Sequence, residues 1–210
     1  MIARMATIQG WFPTFIYNAP LARTGLRAFN RELLTESRQI RELDEAGRKW
    51  CRKNYPGGYT SYASMDNLHQ VSSTFRTLER RIRRHVARFV AHLELDVEAS
   101  QLAMTDCWVN MMPSQVAHSM HLHPLSLISG TYYVNTPPGS PAIKFEDPRL
   151  DRFMFAPPRM AGARPENRQI VRHAAKAGNV ILFESWLRHE VEAGRVRGER
   201  VSISFNYTWR

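Results

Sequence analysis

Histidines carry the chemistry that this sequence offers. His118, His121 and His123 crowd into Ala117-His118-Ser119-Met120-His121-Leu122-His123-Pro124, and His189 follows in Leu187-Arg188-His189-Glu190-Val191. Residues two apart on an extended strand point the same way, so His121 and His123 can grip one ion together. A lone histidine is more often structural. An HxH pair with a third histidine after a buried strand favours a metal site. His118 is offset by three residues from His121, which places it on the opposite face of a continuous strand, so it ranks low as a ligand.

Eleven residues beyond His189 comes Arg200, with Ser202 two further on. Arg200 opens an alternating run. Val201, Ile203, Phe205, Tyr207 and Trp209 share one face, while Arg200, Ser202, Ser204, Asn206 and Thr208 share the other. Two readings stand. The polar face meets bulk water at a sheet edge, or it lines an interior cavity that holds something polar. In the second case the arginine offers a two-pronged donor to a carboxylate.

The elements that must position these residues divide the chain in two. Leu21, Leu26, Phe29, Leu33, Ile40 and Leu43 roughly follow helical spacing. Leu68, Val71, Phe75, Leu78, Ile82, Val86, Phe89, Val90 and Leu93 follow it closely. Tyr55-Pro56-Gly57-Gly58-Tyr59 between them reads as a turn or loop. After Leu93 short strand-like runs take over: Cys107 to Met112, Ile128 to Asn135, Ala142 to Glu146, Asn179 to Phe183 and Val201 to Trp209. Many short punctuated strands indicate a sandwich or barrel. The stretch from Pro137 to Ala177 holds seven prolines and one clear strand candidate, and part of it reads as a flap near the pocket mouth.

The 210 residues suit one domain with a helical extension, and 43% hydrophobic content is enough for a sizeable core. No apolar run approaches the ~18 residues that a membrane span requires. Met1 to Tyr17 is apolar in places, but Gln9, Gly10 and Pro13 interrupt it before it could serve as a secretory core. The expectation is a cytoplasmic protein, with Cys51 and Cys107 as reduced thiols. The net charge is +10. Arg76, Arg80, Arg81, Arg83, Arg84 and Arg88 raise the question of nucleic acid, yet their helical setting favours the solvated face of an amphipathic helix.

The order HxH, later His, then Arg-x-Ser resembles the 2-oxoglutarate/Fe(II) dioxygenase superfamily, whose usual pattern is HxD/E, a distal His and an Arg shortly beyond it. Tyr132-Tyr133-Val134-Asn135 resembles the strand after the first metal motif in its prolyl-hydroxylase branch. The strings His121-x-His123-Pro124-x-Ser126, Ser129-Gly130-x-Tyr132-Tyr133-Val134 and Asp147-Pro148-Arg149 are similar to a bacterial and phage group of such oxygenases. That group also begins with a segment like Trp11-Phe12-Pro13-Thr14-Phe15-Ile16-Tyr17. The likeness spans most of the chain and is strongest from Trp108 to Asn206.

What the resemblance implies is specific. The fold is α+β, mainly β: a double-stranded β-helix (a cupin-like jelly roll) with N-terminal helices packed on one sheet. Residues 1–210 form a single oxygenase domain, helix-rich over 1–98 and jelly roll over 99–210. Fe(II) is held by His121, His123 and His189, with three positions left open. The co-substrate 2-oxoglutarate chelates the iron, Arg200 pairs with its distal carboxylate, Ser202 helps, and Tyr133 donates to the same carboxylate. Asn110 contacts co-substrate or substrate. Dioxygen is the other reactant, the primary substrate is unassigned, and a homodimer stays open.

One departure from the family pattern matters. His123 stands where an acid is expected, so it is a ligand, or it lies behind one, or Glu146 or Asp147 reaches in instead. A simple turn is the favoured reading of Asp147-Pro148. Two rivals remain: a cupin-type dioxygenase or isomerase without 2-oxoglutarate, which would not need Arg200-x-Ser202, and a non-enzymatic basic binding module.

Overall fold

A computed structural model describes residues 6–209, so the first five residues of the apolar N-terminal stretch lie outside the described residues. In chain order the elements are β1 (Ile16–Pro20), α1 (Leu26–Leu43), α2 (Glu45–Asn54), β2 (Tyr59–Thr60), α3 (Leu68–Val71), α4 (Ser73–His92), β3 (Leu102–Met112), β4 (His118–His121), β5 (Ile128–Asn135), β6 (Ile143–Glu146), β7 (Ile170–His173), β8 (Asn179–Glu184), β9 (His189–Val191) and β10 (Arg200–Trp209). The strands form two antiparallel sheets, ordered β1-β8-β5-β10-β3-β2 and β4-β9-β6-β7. This is the jelly roll, with helices on the outer face of the larger sheet.

The helices pack there for a reason visible in their spacing. Phe75, Leu78, Ile82, Val86, Phe89 and Val90 recur by threes and fours along α4 and are fully or nearly fully buried. Opposite them stand the apolar face of β10 (Val201, Ile203, Phe205, Tyr207) and Tyr132 of β5. Polar tips tie the layers. The Tyr132 hydroxyl donates to Asn30 Oδ1, and the Tyr207 hydroxyl to Glu79 Oε1 at 3.4 Å. The arginines of α4 occupy the other side, where Arg76, Arg80, Arg83, Arg84 and Arg88 are exposed.

Several expectations need correction. The periodicity from Leu68 to Leu93 is not one helix. Ser72 adopts an extended conformation and its Oγ accepts from Phe75 N at 3.2 Å, so it ends α3 and caps α4. Helix α2 has too thin an apolar stripe to stand out in sequence; its N-cap, Asp44, accepts from Gly47 N at 2.8 Å. The short strands β1, β2, β4, β7 and β9 had no distinct pattern. The stretch from Pro137 to Ala177 contains two strands, since β6 pairs with β7 from Ile143↔His173 to Glu146↔Ile170. Of this stretch only Ile143 lines the histidine pocket, while residues 146–149, 152 and 164–169 line a separate groove together with residues 8–16. Among the described residues no helix is long and apolar enough to cross a membrane.

Candidate metal centre

The site lies between the two sheets. β4 and β9 pair antiparallel with His121 opposite His189, which brings two imidazoles side by side across neighbouring strands. Their ring centroids are 4.3 Å apart. β4 ends at His121, so His123 is not its strand neighbour. It sits in the following loop, anchored by its backbone N–H to Ser185 O at 3.0 Å. It nevertheless joins the pair, with ring centroids 5.3 Å from His121 and 5.1 Å from His189. One ring nitrogen from each of the three falls within 4.8 Å of the others.

Hydrogen bonds fix which nitrogen faces inward. His121 Nδ1 lies 2.7 Å from Ser119 O, and His189 Nδ1 lies 3.0 Å from Leu187 O. Carbonyl oxygens only accept, so both Nδ1 atoms carry hydrogen and both Nε2 lone pairs are free. His123 Nδ1 is 2.7 Å from Asn206 Oδ1 and 2.8 Å from Ser129 Oγ. Burial, with His121 adding to it, depresses His189 to about 3, and burial likewise lowers His123. Both are therefore neutral at ordinary pH, the form that binds a cation. This donor set suits iron or another borderline divalent metal.

His118 stays outside the convergent trio as expected, but not because it faces away. A register irregularity lies between His118 and His121, so the three-residue offset does not turn His118 away. It lines the same cavity, its Nε2 2.8 Å from the Tyr55 hydroxyl. Burial and then the Arg200 charge hold it to about 3. Glu146 and Asp147 do not approach the histidines. Glu146 pairs with Arg188 at 3.0 Å, and Asp147 pairs with Arg149 and Arg152 while its Oδ1 accepts from Arg149 N at 3.0 Å, the turn expected for Asp147-Pro148.

The polar face of β10 lines the cavity. The strand lies between β5 and β3, away from any sheet edge, and Arg200, Ser202, Ser204 and Asn206 all line a cavity of about 710 Å³. Arg200 is only 2% exposed, which matters because a buried guanidinium without a counter-charge is costly. Its Nη1 meets only Met112 Sδ at 3.1 Å and Ser202 Oγ at 3.4 Å, and its Nε has no partner. Its guanidinium carbon lies 5.0 Å from the centre of the Tyr133 ring. The Tyr133 hydroxyl and Asn110 Oδ1 are likewise buried without partners among the described residues. Tyr133 stands behind Arg200, outside the cavity lining, whereas Asn110 lines it and donates to Ser204 Oγ at 2.9 Å. A carboxylate lodged against Arg200 would accept from its unmet N–H and from the Tyr133 hydroxyl, whereas Asn110 Oδ1 would need a donor, so the residues fit a dicarboxylate reaching toward the histidines.

Sequence reasoning missed other residues of the lining, among them Trp50, Tyr55, Tyr62, Asp106 and Trp108. Tyr62 and Trp108 pack with ring centroids 5.0 Å apart, and Trp108 lies 5.8 Å from His123. Trp108 and Asp106 reach the cavity because β3 pairs with β10 and places Asn110, Trp108 and Asp106 beside Ser202, Ser204 and Asn206. Nothing local marked Trp50 or Tyr62.

Residues 106–206, just under half of the chain but all seven of the expected site residues, match the family model described as "Putative 2OG-Fe(II) oxygenase". No curated protein matches the chain. Among solved structures the fold is similar to the epimerase SnoN in complex with Fe3+, alpha ketoglutarate and nogalamycin RO (TM-score 0.62, 17% identity, 93% of this chain and 79% of that one). It is also similar to HygX from Streptomyces hygroscopicus with nickel and 2-oxoglutarate (TM-score 0.58, 15% identity, 92% and 82%). A prolyl-4-hydroxylase from Pseudomonas putida aligns over 94% of both chains (TM-score 0.54, 15% identity). At these identities the structural likeness is one of fold.

Proposed function

We infer that this chain, which matches the oxygenase family model through residues 106–206, is a 2-oxoglutarate/Fe(II)-dependent oxygenase in which His121, His123 and His189 hold the iron and Arg200 the co-substrate. It is an oxidoreductase. The observation that carries the assignment of residues is the buried, under-partnered Arg200 guanidinium lining the same cavity as three convergent imidazoles.

When bound, iron and 2-oxoglutarate supply oxidative decarboxylation to succinate and carbon dioxide, coupled to transfer of one atom of dioxygen to a substrate. The chain's own contribution is placement. Ser119 O and Leu187 O hold the His121 and His189 rings in the tautomer that presents Nε2. Arg200 offers its fork to the distal carboxylate, with Ser202 and Asn110 beside it. Tyr133 packs against the guanidinium and braces it; burial pushes its phenol up while Arg200 opposes the shift, and in our reading its hydroxyl turns toward the same carboxylate. Trp50, Tyr62 and Trp108 form an aromatic wall against which a substrate would lie. Hydroxylation of a substrate C–H bond is the reaction we assign. A reducing cytoplasm, where Cys51 and Cys107 stay thiols, is the setting this reading fits.

The test is iron-dependent succinate formation. Protein supplied with Fe(II), ascorbate and 2-oxoglutarate is expected to release succinate, even without substrate, at a slow rate that a chelator abolishes. Succinate release that is indifferent to the chelator, or none under any of these conditions, would refute the assignment.

A further inference from the structure

Three neutral imidazoles leave both charges of a ferrous ion uncompensated by protein ligands, whereas an acid at position 123 would remove one. The neighbours of His123 make up the difference. His123 Nδ1 is 2.7 Å from Asn206 Oδ1. The orientation of that amide is fixed from behind, because Asn206 Nδ2 lies 3.1 Å from Asp106 Oδ2 and a carboxylate only accepts. Ser129 Oγ donates to Asn206 Oδ1 at 2.8 Å, which again requires oxygen at that position. His123 Nδ1 therefore carries the hydrogen and donates, leaving Nε2 for the metal, as in His121 and His189.

The backbone is shaped for this relay. β3 and β10 run in register from Arg200↔Met112 to Asn206↔Asp106, then shift, so that Tyr207 faces Met104 and Thr105 is the extra residue. A bulge of this kind re-aims side chains next to a site. Here it lets two consecutive residues, Thr105 and Asp106, both line the cavity. Thr105 Oγ1 then donates to Asp106 Oδ2 at 2.7 Å and holds the carboxylate against Asn206.

We propose that Asp106, acting through Asn206, is a positioning residue that returns to the metal site, one hydrogen-bonded step removed, the negative charge its third ligand lacks. Polarising the Nδ1–H of His123 toward Asn206 raises the basicity of Nε2 and fixes the ring's aim. The proposal rests on the reading of His121, His123 and His189 as metal ligands.

The experiment is titration of the metal-free protein with Co(II), which needs no turnover, alongside the melting temperature of each metal-free variant. Asp106→Asn is expected to bind Co(II) about 10-fold or more weakly, Asp106→Glu to recover most of the loss, and Asn206→Leu to weaken binding about as much with Asp106 still present. Co(II) affinity unchanged in both Asp106→Asn and Asn206→Leu overturns the proposal. So does a loss in Asp106→Asn that Asp106→Glu fails to recover, since packing alone would then explain it. If Asp106→Asn does not fold, the Asn206→Leu and Asp106→Glu affinities decide in the same way. A wild type that binds no Co(II), or a His189→Ala protein that binds it as the wild type does, instead refutes the ligand reading itself.

Discussion

At Arg200 the molecule buries a guanidinium almost completely and gives it a thioether and one hydroxyl for company. A fold tolerates that when a ligand supplies the missing charge. Arg200→Met should raise the KM for 2-oxoglutarate at least about 30-fold, the cost of losing one partner of a buried charge pair, while iron affinity stays near wild type. Measuring both separates this role from a general loss of structure. Single residues were legible in unequal degree. His121, His189 and Arg200 showed through their spacing, and the alternation after Arg200 carried its whole polar face. His123 was found for the wrong local reason, since it is held in a loop and not along a strand. His118 was set aside because the irregularity in β4 that turns it inward leaves no trace in residue types. Asp106 and Asn206 meet only through strand pairing, which a linear reading does not reveal.

Among the elements, β5 and β10 set the frame on which the centre is built. They pair along most of their length, and the fit at Gly130 is close. A Cβ there would stand 2.6 Å from Ile181 O and 2.6 Å from Phe205 Cζ. Neither neighbour can yield, because one is backbone of the adjacent strand and the other a ring in the core. Gly130→Ala should therefore cost about 1–3 kcal/mol of stability through overpacking, and thermal melting should fall by about 2–4 °C for each kcal/mol. The longer elements were legible because their apolar periods repeat often enough to stand out: α4, β5, β8 and β10 lie where the sequence places them. Elements of two to five residues, such as β1, β2, β7 and β9, take their conformation from pairing with longer strands and had no pattern of their own. The break at Ser72 shows a capping hydrogen bond overriding an apolar period that ran through it.

Burial also acts on histidines far from the cavity. His85 is buried between Tyr17 and Leu21, with Nδ1 2.8 Å from the Tyr17 hydroxyl and Nε2 3.1 Å from Leu21 O. Burial lowers its pKa from the ordinary 6.5, with Arg88 and Arg84 adding to the shift, and burial lowers that of His69 too. As pH falls below 6.5 the unfolded chain takes up protons that the folded chain refuses, so stability is lost in that direction and is fully present above it. Urea unfolding of the metal-free protein should show lower stability at pH 5.5 than at pH 7.5, and His85→Gln should flatten part of that slope. At this scale the two-part organisation, helices outside and β-rich core within, was plain from the change of period after Leu93, while the turn that sends residues 147–169 away from the cavity was not. Anaerobic calorimetry of 2-oxoglutarate binding asks whether one cavity takes metal and dicarboxylate together. With Fe(II) present the protein should bind one equivalent of 2-oxoglutarate, and without Fe(II), or in His189→Ala, binding should weaken sharply. Equal 2-oxoglutarate affinity in the presence and absence of Fe(II) would contradict the account.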